Sequence, residues 1–171
     1  MTSTTSSRLT LAALALMAEA LHLGWEALHG GIVSHHLLQR ADLPALSNAW
    51  GLLLLPALAA WAAGRLPKPP ATQRAWLPVA LGFTLPLLLG AALSLAFQLQ
   101  LQALTEGLFF GLMLLAVLLP ARRPESLLGF VLGMSWTFGA VLPTLIGGGV
   151  ASLSWLVRGI VRWAWHAARP T

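Results

Sequence analysis

Long apolar stretches with hardly any charge dominate this sequence and restrict the folds that it can adopt. A helix needs about 20 apolar residues to cross a bilayer core, and five stretches meet this requirement. They are residues 9–29, 45–64, 76–97, 103–119 and 125–147. Only 9% of the 171 residues are charged, against roughly 25% in a soluble domain. The sequence therefore predicts an all-α, polytopic integral membrane bundle and excludes a soluble or disordered chain.

The connectors between these stretches support the same division. Residues 65–74 and 120–124 are basic and rich in proline. Proline ends the helices, and the charged arginines keep the loops in water. Residues 76–119 lack such a break, yet as one helix they would extend about 66 Å, twice the bilayer core. We therefore expect a turn at Gln98, Gln100 and Gln102.

Residues 150–168 have a different pattern. Polar residues recur there every fourth position, at Ser154, Arg158, Arg162 and His166, among tryptophans and aliphatic residues. This spacing predicts a basic amphipathic helix at the membrane interface. The alternative is a sixth span, hinged at Gly147-Gly148-Gly149. We expect residues 1–171 to form a single transmembrane domain.

The distribution of basic residues predicts the orientation. Arg8, Arg65, Lys68, Arg74, Arg122 and Arg123 fall on one side of the predicted topology. The positive-inside rule places that side, with the N-terminus, in the cytoplasm, and we expect a multi-pass protein of the bacterial inner membrane. The first stretch also resembles a cleavable signal peptide ending at Ala18-Glu19-Ala20. Apolarity continues through Trp25, however, so we interpret it as a span.

The first span carries an unusual group of ionisable residues. Glu19, His22, Glu26 and His29 form two Glu-x-x-His motifs seven residues apart, which predicts one shared helix face. His35 and His36 follow, and His36 continues the spacing if the helix resumes after Gly30-Gly31. Ionisable groups are costly in hydrocarbon, and by default they indicate a functional site.

Metal binding is the first hypothesis for this group. Imidazole and carboxylate suit Zn, Fe, Mn or Cu, and Glu-x-x-His builds di-metal sites inside helical bundles. We expect His22, Glu26 and His29 to be direct ligands and Glu19 to support them. His35, His36 and Glu106 would complete or gate the site. Haem is a minor alternative, and the absence of cysteine excludes thiolate ligands.

Two other functions use different properties of the sequence. Glu19, Glu26 and the histidines could relay protons in a small proton-coupled transporter, since histidine titrates near neutral pH. The chain could also be a scaffold or assembly subunit, or a homo-oligomer, joined through its two Gly-x-x-x-Gly motifs, although packing within the chain is the simpler interpretation. These motifs are Gly107–Gly111 and Gly129–Gly133.

The remaining polar residues receive structural interpretations. Asp42 or Ser47 is expected to cap the second helix, with Asn48 near the cluster or near water, and packing accounts for Trp136. The net charge of +5 lies in the loops and the tail, where it matches anionic lipid headgroups. The bilayer is thus the expected partner, and no nucleic-acid partner is predicted.

Overall fold

The computed structural model describes residues 3–36, 40, 42–68, 70–118 and 123–167. Within these residues the fold is all-α apart from one short hairpin, which confirms the predicted class. The helices are α1 (Ser3–Leu28), α2 (Gly51–Ala63), α3 (Gln73–Gln98), α4 (Gln102–Leu118), α5 (Pro124–Phe138) and α6 (Val141–Ala167). The hairpin pairs β1 (Ser34–His36) with β2 (Ala45–Ser47). Arg122 and residues 119 and 168, which belong to the segments predicted above, lie outside the described residues.

Three of the helices are long and apolar enough to cross a membrane. Their qualifying segments are Thr4–Leu28, Gln73–Gln98 and Val141–Trp163, and two shorter apolar helical segments are Asn48–Ala63 and Gln102–Leu114. Large apolar side chains remain exposed along these helices, among them Leu21, Leu28, Phe110 and Trp163. In water such a surface would drive aggregation, whereas in a bilayer it is solvated by lipid.

The turn expected between residues 76 and 119 is confirmed. Helix α3 ends at Gln98 and α4 begins at Gln102. Between them Gln100 adopts a left-handed backbone conformation (φ 57°), which reverses the chain. The side chain of Gln98 donates a hydrogen bond to Thr137 Oγ1 (2.6 Å), so the end of α3 lies beside the end of α5.

The C-terminal third differs from the prediction. The chain breaks at Gly139, not after residue 147, and α6 continues through the three glycines. Gly139 has φ 66°, and a Cβ there would overlap the Asn48 side chain, so only glycine fits the break. Each glycine within α6 costs only about 1 kcal/mol, which does not end a helix. The predicted span 125–147 and the separate helix 150–168 are therefore not found as such.

Residues 34–50 also differ from the expected helices. His36 does not continue the α1 repeat, because Ser34–His36 is a strand that pairs with Ala45–Ser47 in an antiparallel register. The predicted second span thus begins with a strand and a 3-10 turn (Asn48–Trp50) before α2. Ser47 caps that turn, as its Oγ accepts a hydrogen bond from the Ala49 amide (3.2 Å).

Close packing of α3 on α5 organises one half of the bundle. A Cβ on Gly129 would overlap the Phe83 carbonyl oxygen, and one on Gly133 would overlap that of Leu87. The Ser94 hydroxyl donates a hydrogen bond to the Gly133 carbonyl (3.2 Å) across the same contact. The Gly129–Gly133 motif therefore serves packing within the chain, as expected.

The other half of the bundle is built on α2. Helix α1 packs on α2, and α2 packs on α5. Leu55, Ala59 and Val131 are among the buried residues of the core between α2 and α5. Helix α4 packs mainly on α6 and α3. This arrangement places the polar face of α1 against the start of α2 and the end of α5.

Candidate functional site

Three of the predicted site residues meet on one face of α1. His22 Nδ1 lies 3.4 Å from Glu19 Oε2, and His22 Nε2 lies 3.4 Å from Glu26 Oε1. The spacings of three and four residues make this contact possible on a single helix. One imidazole thus lies between two carboxylates, and each ring nitrogen faces one of them.

Glu26 is held at the end of α1 by groups from outside the helix. Asn48 Nδ2 donates a hydrogen bond to Glu26 Oε1 (2.6 Å), and the Val33 amide donates one to Oε2 (3.0 Å). The backbone N–H of Asn48 in turn donates a hydrogen bond to the Val33 carbonyl oxygen (2.9 Å). Both carboxylate oxygens therefore have donors, and the hairpin is fastened to the end of α1.

Glu19 lies one to two turns deeper along α1 and is only 3% exposed. Its carboxylate lies against Gly51, at the first turn of α2, where a Cβ would overlap Oε1. Glu19 Oε1 is buried and has no hydrogen-bond partner within the part of the chain that the structure describes. Burial of an oxygen without a hydrogen-bond donor costs free energy, so Glu19 is the less well stabilised of the two carboxylates.

An open cavity of about 430 Å³ lies beside Glu19 and His22. Trp136 of α5 stacks on the His22 ring, with the ring centroids 4.9 Å apart and the planes 29° apart. The lining residues come from α1, α2 and α5: Ala18, Glu19, Leu21, His22, Trp25, Leu55, Leu132, Ser135 and Trp136. The cavity thus combines an apolar wall with a carboxylate and an imidazole.

The other histidines of the predicted cluster do not join this group. His29 follows the end of α1 and is exposed; its ring stacks on Trp25, and Nδ1 donates to the Trp25 carbonyl (2.9 Å). His36 is also exposed and donates through Nδ1 to the Leu43 carbonyl (2.8 Å). Each therefore has its own local backbone partner, and the expected face of Glu19, His22, Glu26 and His29 ends at Glu26.

His35 lies nearer to the group, at the hairpin. Its ring is half-buried and lies 6.5 Å from that of Phe138, centroid to centroid. Burial lowers the pKa of His35 below its ordinary value, and the charge of Glu26 opposes this shift. His35 is thus held towards its neutral form at the end of the bundle.

The two acidic residues from other segments have separate partners. Glu106 begins α4 and is exposed, and its Oε1 accepts a hydrogen bond from Gln102 (2.9 Å). Asp42 pairs with Arg40 at 2.7 Å in the exposed loop, and this hydrogen bond lowers the pKa of Asp42. Glu106 therefore has a partner on its own helix and is not brought to the α1 group.

The arrangement bears directly on the metal hypothesis. Among the described residues, no group of three or more His, Asp or Glu side chains is arranged to hold a metal ion. Glu19 and Glu26 face opposite nitrogens of His22, so an ion on either nitrogen would meet only one of the carboxylates. Transition metals in proteins usually take three or four protein ligands.

Three residues of the site were not identified as site residues from the sequence. Asn48 was expected only near the cluster or near water, Trp136 was interpreted as packing, and Gly51 received no role. Each contacts a residue of α1 from another segment. Asn48 bonds to Glu26, Trp136 stacks on His22, and Gly51 packs against Glu19. The one signal available was that Asn48 is an amide at the start of an apolar segment, which in a membrane requires a partner.

Comparison of the chain with protein-family models, curated proteins and solved structures returns no significant match.

Proposed function

We propose that this chain is a small proton-coupled membrane transporter, or the proton-carrying subunit of one. The observation that supports this function is the position of His22 between Glu19 and Glu26, 3.4 Å from each. Imidazole can accept a proton on one ring nitrogen and release another from the opposite nitrogen near neutral pH. Carboxylates on both nitrogens are what such a transfer requires.

The relay step follows from the two contacts. Glu19, as the carboxylic acid, gives its proton to His22 Nδ1, and His22 Nε2 gives its own proton to the Glu26 carboxylate. The ring returns to its starting tautomer by proton exchange with water, in which Nδ1 releases a proton and Nε2 accepts one. Glu19 and Glu26 are seven residues apart, so one step moves charge by about 10 Å along α1.

The surroundings give the two carboxylates different tasks. Glu26 accepts hydrogen bonds from Asn48 and the Val33 amide, which hold its carboxylate in place at the helix end as the proton acceptor. Glu19 has a buried oxygen without a donor and lies beside the cavity. Proton release would therefore occur at the hairpin end, and proton loading at the cavity.

Basic residues support an orientation for this relay. Arg8, Arg65, Lys68, Arg74 and Arg123 fall at the end of the bundle opposite the hairpin. By the positive-inside rule, the N-terminus would face the cytoplasm and Glu26 the outer side. Helix α6, as a continuous helix from the hairpin end, would return its basic C-terminal part to the cytoplasmic side. A separate helix on the outer side would instead leave those basic residues outside, against the positive-inside rule.

The proposal is tested by proton flux in proteoliposomes loaded with a pH-sensitive dye, under an imposed potential or pH gradient. We expect Glu19→Gln to remove the flux, because an amide cannot carry the proton. Glu106→Gln, the same change at an exposed carboxylate on α4, should leave it intact.

Elemental analysis of the same samples tests the metal hypothesis. One equivalent of a transition metal that is lost in a His22→Ala, His29→Ala variant, in a protein without flux, would overturn the relay.

The scaffold hypothesis makes the opposite prediction about the same variants. A subunit that serves only to join a complex would co-purify with a partner in mild detergent, and the Glu19→Gln variant would co-purify equally well. The Gly129–Gly133 face is already used by α3, which leaves Gly107–Gly111 as the motif available for such contacts, with no atom within 4 Å of an added Cβ. The polar group on α1 has no role in that hypothesis.

A further inference from the structure

The cavity beside Glu19 and His22 has the properties of a binding site for an organic cation. We propose that it takes a lipophilic monovalent cation, such as a protonated amine or a quaternary onium ion. This inference rests on the proposed function, because it names the substrate class that the proton relay would drive.

The size and lining of the cavity fit a small organic molecule. Its volume of about 430 Å³ lies within the usual range for ligand pockets, roughly 300–1,000 Å³. The wall is largely apolar and comes from three helices, as in ligand sites between the helices of a bundle. The cavity is open, and the exposed Leu21 at its edge gives an apolar molecule a route from the lipid.

The charge of the lining favours a cation over an anion or a neutral molecule. Among the described residues that line the cavity, Glu19 is the one carboxylate and none is a lysine or an arginine. Glu19 is 97% buried, and none of the described residues donates a hydrogen bond to its Oε1, so the negative charge of the carboxylate is poorly compensated and would attract a positive group in the adjoining cavity. His22 holds the other carboxylate oxygen.

Two tryptophans give the cavity selectivity for a cation. Trp25 and Trp136 line it from α1 and α5, and their side chains remain 54% and 63% exposed. Indole is the aromatic group that attracts cations most strongly, and the attraction increases when the cation is desolvated. A lipophilic organic cation loses less hydration on entry than a metal ion or the inorganic ion NH4+.

The same carboxylate would then serve the proton and the cation in turn. When Glu19 carries the relay proton it is neutral and no longer attracts the cation. When the proton has moved through His22 to Glu26, the charge on Glu19 returns and the cation binds. Because the proton and the cation compete for Glu19, the movement of one is coupled to the movement of the other.

The test is binding of tetraphenylphosphonium to the full chain in detergent, measured by equilibrium dialysis with radiolabelled probe. We expect saturable binding at one site per chain, weakened at least about tenfold by Glu19→Gln and retained by Glu19→Asp. Trp136→Leu should weaken it roughly threefold to tenfold. The matched controls are Glu106→Gln on α4 and Trp61→Leu, an exposed tryptophan on α2. Binding should also weaken as the pH falls.

The outcomes separate this inference from the proposed function. Saturable binding that does not change in Glu19→Gln, with the variant folded by circular dichroism and gel filtration, overturns the cation site. Absence of saturable binding in a chain that conducts protons also overturns it and leaves the relay intact. Glu19-dependent binding in a chain without proton flux supports the site and contradicts the relay.

Discussion

His22 Nε2 lies 3.4 Å from Glu26 Oε1, one helical turn further along α1. Because Nδ1 of the same ring lies equally far from Glu19, the imidazole connects a buried carboxylate to one at the helix end. The connection depends on a single helix, whereas the position of each end depends on α2, α5 and the hairpin. Substitutions in those neighbours should therefore alter the relay without removing any of its ionisable groups.

Asn48→Ala tests the support of the outer carboxylate. The substitution removes the donor 2.6 Å from Glu26 Oε1 and should destabilise the protein by about 1–3 kcal/mol, since a partly buried acceptor loses its partner. We expect a lower unfolding temperature in detergent and reduced proton flux. Gln102→Ala, which removes the exposed donor to Glu106, should change neither. Equal effects of the two substitutions would show that the Asn48 contact has no special role.

Gly51→Ala tests the position of the inner carboxylate. A methyl group there would overlap Glu19 Oε1, so the carboxylate must move away from α2. We expect loss of proton flux and of onium binding in a protein that still folds. Gly24→Ala on α1, where an added Cβ meets nothing within 4 Å, is the control and should retain both. Normal flux in Gly51→Ala would mean that the position of Glu19 is not critical.

Gly133→Ala tests the contact between α3 and α5. Its added methyl group would overlap the Leu87 carbonyl and separate the two helices, at a cost of about 1–3 kcal/mol. Gly107→Ala on α4, in open space, should be neutral or stabilise by up to about 1 kcal/mol through helix propensity. Thermal unfolding in detergent compares the two. A destabilised Gly107→Ala variant would instead indicate that α4 contacts another chain.

His35 predicts a pH dependence of stability. Burial lowers its pKa in the folded protein, so the unfolded chain binds a proton more readily. The contribution of neutral His35 to the free energy of unfolding is complete above the pKa of histidine in the unfolded chain, about 6.5. It is lost as the pH falls from there towards the lower pKa of the folded protein. We expect His35→Phe to reduce the fall in unfolding temperature between pH 7.5 and 5.5. His36→Phe, at the exposed neighbour, should retain it; the reverse pattern would contradict the assignment.

Local sequence patterns predicted those features that a single helix determines. The spacing of Glu19, His22 and Glu26 gave their shared face, and the length limit on a helix gave the turn at Gln98–Gln102. Both depend on backbone geometry that is the same in any surroundings. The Gly129–Gly133 contact was likewise predicted from residue size alone.

The features that were missed depend on contacts between distant segments. The break at Gly139 requires glycine because its φ is positive and because the Asn48 side chain occupies the space of a Cβ. The residues around 139 do not predict this contact with Asn48. The strand Ser34–His36 forms because Ala45–Ser47 pairs with it, so the helical repeat of the histidines does not continue. Asn48 reaches the site from the 3-10 turn before α2, and Trp136 reaches it from α5. Both positions depend on tertiary packing, which residue spacing along the sequence does not encode.

The most direct test of the central claim compares two histidines of the same stretch. His22 lies between the two carboxylates, whereas His29, seven residues later, is exposed and bonds only to its own backbone turn. Proton flux into dye-loaded proteoliposomes under a potassium diffusion potential should be lost in His22→Ala and unchanged in His29→Ala. Equal flux in the two variants, both folded and reconstituted to the same density, would contradict the relay.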